Sequence, residues 1–131
     1  MEFYFLDAGG AGLVHFIYWV IILFMVLTVI VEAVVMMATK YNKSFKKAIL
    51  DSFLVNLGSL AAGFILISYG NPFFNSYRIV NLLVLYIVTV IIEGLLLYLL
   101  NRKRGLLKSF NTSLLMNLFS YILLYLIANR S

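Results

Sequence analysis

Four long runs of apolar residues divide the chain, at positions 13–38, 49–69, 79–100 and 109–128, and polar and charged residues gather in the short stretches between them. Each run is close to the ~20 residues that an α-helix needs to cross the hydrocarbon layer of a bilayer. Whole turns such as Leu95, Leu96 and Leu97 are apolar on every side, unlike the alternating strands of a membrane barrel. The pattern predicts an all-α integral membrane protein, a four-transmembrane-helix bundle that takes up residues 1–131 as one domain. Composition agrees: of 131 residues, 64% are hydrophobic and 11% charged, and a water-soluble fold of this size could not hide that much apolar surface.

The opening residues, Met1 to Asp7, carry no basic charge, and the first apolar run is too long for the core of a cleaved signal, so the first span is expected to be retained. The absence of cysteine excludes disulfides, thiolate metal sites and cysteine nucleophiles. Phosphate loops, dinucleotide glycines, nucleophile elbows and metalloprotease motifs are also missing, and no cofactor is expected.

The net charge of +5 changes the picture only through its placement. Lys40, Lys43, Lys46 and Lys47 lie between the first two spans, and Arg102, Lys103, Arg104 and Lys108 between the last two; only Arg78 and Arg130 fall on the other face. By the positive-inside rule, loops 40–47 and 102–108 are cytoplasmic and both termini lie outside, with the cell (inner) membrane the expected location. The basic loops are then topology signals that meet anionic lipid headgroups, and nucleic acid is not an expected partner. His15, Tyr18 and Trp19, with Tyr69 and Tyr77 around the turn at Gly70, Asn71 and Pro72, read as anchors at the headgroup level.

A shift of 61 residues aligns the two halves of the chain without a gap. Thr28 to Glu32 overlies Thr89 to Glu93, Lys47 overlies Lys108, Ser52 overlies Ser113, and Asn56 and Ser59 overlie Asn117 and Ser120. Apolar matches between membrane spans arise cheaply; a shared Glu, Lys, Ser, Asn and Ser in one register do not. The expected architecture is two tandem parallel helical-hairpin repeats, residues 13–69 and 79–128, related by a pseudo-twofold axis along the membrane normal.

In that arrangement Glu32, Asn56, Glu93 and Asn117 share one depth, about 12 Å inside the helix ends. Thr28 and Thr89 precede the acids by one turn, and Ser52, Asn56 and Ser59 share a helix face at the spacing repeated by Ser113, Asn117 and Ser120. These ten residues are the candidate ligand- or ion-binding set. A carboxylate at this depth costs about 2.5–3.5 kcal/mol on insertion scales, and no Lys or Arg shares the level. Each Glu is therefore either protonated and hydrogen-bonded or ionised opposite a cation from outside the chain. Gly58, Ala61, Ala62 and Gly63 mark the second span as the one expected to pack most closely.

Helical hairpins with a membrane-embedded Glu also occur in the proteolipid subunits of rotary ATPases, but there the acid follows the polar loop on glycine-rich helices. Here it precedes the loop on helices rich in Leu and Ile, and the chain is not assigned to that family. Three functions fit the sequence: a small transporter or channel with a proton- or cation-binding site, a non-catalytic accessory subunit of a larger membrane complex, and an intramembrane lipid-modifying enzyme using one Glu as base. Expected partners are membrane lipids, together with further copies of the chain or other membrane subunits. Oxygen ligands favour hard cations over copper or zinc.

Overall fold

In lipid a chain can satisfy its backbone only by closing its own hydrogen bonds, and this one does so in four long helices. The computed structural model describes the backbone of residues 3–69 and 78–128, and the side chains of residues 12–66, 68–69 and 83–127. The helices are α1 (Phe3–Ala38), α2 (Phe45–Tyr69), α3 (Arg78–Leu100) and α4 (Leu106–Ala128), with a single 3-10 turn at Arg102–Arg104. All four are long and apolar enough to cross a membrane, and the chain is a multi-pass helical membrane protein. The turn at Gly70, Asn71 and Pro72, together with Tyr77 and Arg130, lies outside the described residues.

Each helix ends where its apolar run ends, at Ala38, Tyr69, Leu100 and Ala128, but each begins earlier than its run. Hydropathy marks the part of a helix that meets hydrocarbon, whereas the backbone stays helical into the headgroup layer. The first turns of α2 and α4 accordingly take in Lys46, Lys47 and Lys108. At the end of α1 the chain turns through Lys40 at φ 53°. The amide of Tyr41 reaches the Met36 carbonyl at 2.8 Å and that of Lys40 reaches the Met37 carbonyl at 3.0 Å, the paired bonds of a Schellman cap.

The helices form a closed ring in which α1 packs on α2, α2 on α3, α3 on α4, and α4 back on α1. Large apolar side chains cover the outside, Phe16, Trp19, Phe64 and Leu107 among them, while the interior is unusually polar. Among the described residues the fully buried set is divided evenly between apolar side chains such as Ala33, Met36, Leu97 and Met116 and polar ones that include both Glu32 and Glu93. That inside-out distribution suits a lipid solvent.

Close helix approach is placed differently from the expected stripe on the second span. Gly58 does pack tightly, since a Cβ there would lie 2.5 Å from Leu96 Cδ1, but Gly63 faces open space and Ala61 is exposed. A second close approach occurs at Gly94, where a Cβ would lie 2.9 Å from the Phe110 ring. A rigid ring yields less readily than the tip of a Leu side chain. Gly94→Ala is therefore expected to destabilise the bundle by about 1–3 kcal/mol, and Gly58→Ala by less, in equilibrium unfolding of micelle-embedded protein; the reverse order would contradict this packing.

Candidate functional site

Glu32 lies six residues before the end of α1 and Glu93 seven before the end of α3, while Asn56 and Asn117 each lie eleven residues into α2 and α4. Helical rise puts both acids roughly 10 Å inside the ends that carry the basic loops. Both carboxyls are 1% exposed. The Glu32 Oε2 atom accepts hydrogen bonds from Ser52 Oγ at 2.7 Å and from the Asn56 amide, and Oε1 accepts one from Ser120 on α4 at 3.3 Å. The Glu93 Oε2 atom accepts from the Asn117 amide at 2.6 Å and Oε1 accepts from Ser59 on α2 at 2.9 Å. Each acid thus takes an Asn from the helix that follows it and a Ser from the neighbouring helix on its other side.

The orientation of both amides is fixed by the backbone. Asn56 Nδ2 also donates to the Ser52 carbonyl at 2.9 Å, and Asn117 Nδ2 to the Ser113 carbonyl at 3.0 Å. A carbonyl can only accept, so the NH2 group must occupy that position, and its second hydrogen points at the carboxyl. Oε2 of each Glu is therefore an acceptor. A proton held by either acid would sit on Oε1, beside the Ser from its other neighbouring helix.

Beside this cluster lies an open cavity of about 620 Å³, lined by residues of all four helices. Glu32, Glu93, Asn56 and Asn117 line it together with Thr28, Thr89, Ser59 and Ser120. The Thr89 hydroxyl donates to the Leu85 carbonyl at 2.7 Å, leaving its oxygen to accept. Of the ten residues read from the sequence, Ser52 bonds Glu32 from outside the cavity lining, and Ser113 bonds no carboxyl: its hydroxyl donates to the Val90 carbonyl at 3.0 Å. Among the described residues the sole ion pair is Lys47–Asp51, which involves neither Glu. No group of three His, Cys, Asp or Glu side chains there could hold a metal ion.

A second polar network, at the basic-loop end, was not anticipated. Asp51, which is buried, accepts hydrogen bonds on Oδ2 from Asn42 at 2.8 Å, Lys47 at 2.9 Å and Asn101 at 2.7 Å, and Lys47 also donates to the Asn101 side-chain oxygen. Beside it the buried Tyr41 hydroxyl bonds the Leu97 carbonyl and Ser109, both at 2.9 Å. Burial pushes the Tyr41 phenol above its ordinary value of about 10, with the Ser109 hydrogen bond opposing the shift in part. The phenol stays neutral and keeps its proton for the Leu97 carbonyl. The sequence does carry a signal, an Asp four residues after a Lys with an Asn in each of the two connections at the basic end, but the position 61 residues on is Thr112 and the pairing of Asn42 with Asn101 has no sequence pattern.

No family model matches this chain, and no curated protein or solved structure matches it either. Function has to be argued from the geometry.

The two unlike serines supply a test. A Ser52→Ala and Glu32→Gln cycle should show a coupling of about 0.6 kcal/mol or more, whereas Ser113→Ala and Glu93→Gln should be additive within error, both read by unfolding in micelles. Equal coupling in the two cycles would contradict the different hydroxyl partners.

Proposed function

We propose that this chain is a small membrane transporter or channel subunit whose paired Glu and Asn side chains bind a proton or cation near the centre of the bundle. The observation that carries this reading is the one-sided hydrogen bonding of the cluster. The Ser52, Asn56, Ser59, Thr89, Asn117 and Ser120 donors are turned onto a carboxyl or a backbone carbonyl, and the cavity is lined by both Glu residues with no Lys, Arg or His among its described lining. Such a lining solvates a positive charge and has little to offer an anion. Intramembrane acids without a cationic side-chain partner are functional by default.

The reading includes a twofold arrangement of two hairpin repeats, with both termini outside the cell membrane and the basic loops in the cytoplasm. Supporting the twofold, Asn56 to Glu32 and Asn117 to Glu93 span the same 24 residues, and Ser59 and Ser120 each cross to the acid of the other hairpin. Supporting the orientation, eight of the ten Lys and Arg residues fall in the two short loops 40–47 and 102–108. The cavity would then extend outward from the acids, away from the basic loops.

A second reading has its own support. No buried side-chain polar atom among the described residues is without a partner, so the cluster satisfies itself, as interhelical glue in an accessory subunit would. Proteoliposomes separate the two. With an internal pH dye, imposed gradients of Na⁺, K⁺ or H⁺ should drive flux in the wild type, and Glu32→Gln or Glu93→Gln should cut it at least about tenfold, the equivalent of one charge-assisted hydrogen bond. Folded Gln variants that retain full flux, or wild type with none, would favour the accessory-subunit reading.

A further inference from the structure

We propose that the cavity binds an organic cation with an apolar body, a quaternary or protonated amine or a comparable onium ion, in preference to a bare metal ion. The proposal rests on the cation-site reading above and adds the class of ligand. Size is the first consideration. A hard metal ion is gripped by six or more oxygens at about 2.0–2.6 Å, in a space far smaller than about 620 Å³. The cavity instead falls within the roughly 300–1,000 Å³ range of small-molecule sites.

The division of its walls is the second. Oxygen acceptors occupy one level only. From Asn56 the α2 wall continues through Leu60 and Gly63 to Phe64, eight residues or about 12 Å away from the basic loops. On α4, Tyr121 and Leu124 continue it beyond Ser120, and on α1 Ile21 lies eleven residues before Glu32. A ligand that fills this space therefore has a charged head against the carboxyls and an apolar or aromatic body against Leu60, Phe64 and Leu124. Tyr121 and, at the largely exposed rim, Phe64 bring aromatic rings to this wall, and aromatic rings attract a diffuse positive charge. Small-molecule sites have this composition, apolar walls with a few convergent polar groups.

Gly63 gives the proposal a specific handle. A Cβ built there meets nothing within 4 Å, and Gly63 lines the cavity seven residues, or about 10 Å along the helix, beyond Asn56, so a large side chain there is a way to fill the cavity from its apolar part. The experiment is calorimetric titration of the full chain in lipid nanodiscs with tetraphenylphosphonium, and separately with Na⁺, K⁺, Ca²⁺ and Mg²⁺, with empty nanodiscs subtracted. Variants are Gly63→Trp, with Gly63→Leu as the milder filling, and the double Glu32→Gln, Glu93→Gln, each checked for folding by thermal unfolding. Saturable binding of tetraphenylphosphonium is expected in the wild type, weakened about tenfold or more by either filling variant and by the double Gln variant. Binding of an inorganic cation with none of tetraphenylphosphonium would overturn the ligand class and leave the cation-site reading standing. No binding of either kind would remove both. Tetraphenylphosphonium binding that survives the double Gln variant would place the probe elsewhere and overturn the proposal.

Discussion

A carboxyl group in the hydrocarbon layer must find its solvation inside the protein, and the rest of this bundle is arranged around that requirement for Glu32 and Glu93. Neither acid could be served by its own helix. Each is met by an Asn from the next helix and a Ser from the neighbouring helix on its other side, so the four helices must stand in a ring with these residues at one depth. Close contacts at Gly58 against Leu96 and Gly94 against Phe110 bring the helices near enough for those side chains to reach. The backbone carbonyls of Ser52 and Ser113 in turn fix the Asn amides as donors.

The same fixation leaves the two ends of the bundle unlike. At the basic-loop end, Ala33, Met36, Leu97 and Met116 fill the interior, and the Asp51 and Tyr41 networks tie both loops to α2, α3 and α4. On the other side of the acids lies open space walled by apolar side chains. The donors are turned onto the carboxyls, and the residues that bear those carboxyls line a cavity with no Lys, Arg or His among its described lining. That combination motivates the proposed cation site, and the extent of the apolar walls motivates the proposed ligand class.

Much of this was legible in the sequence because hydropathy and helical rise are robust quantities. The four apolar runs located the helices and all four of their C-terminal ends, and counting residues from the loops put Glu32, Asn56, Glu93 and Asn117 at a common level. What a count could not supply was rotation and rotamer. Ser113 aligns with Ser52, yet its hydroxyl turns to the Val90 carbonyl instead of a carboxyl. Gly63 looked like a packing residue and instead borders the cavity, while Gly94, isolated among leucines, packs against Phe110. The Asp51 network was hidden because its members come from α2 and from both loops, and only folding brings Asn42 and Asn101 to one oxygen.

The most direct measurement is difference infrared spectroscopy of the carboxyl stretch in lipid, followed across pH and with cations added. The account requires a band that responds to a cation and disappears in the double variant Glu32→Gln, Glu93→Gln, because the acids are held by donors and face the cavity without a cation of the protein's own. Carboxyls that stay protonated over the whole accessible pH range and ignore every ion would contradict it, and would leave the cluster as a means of holding four helices in register.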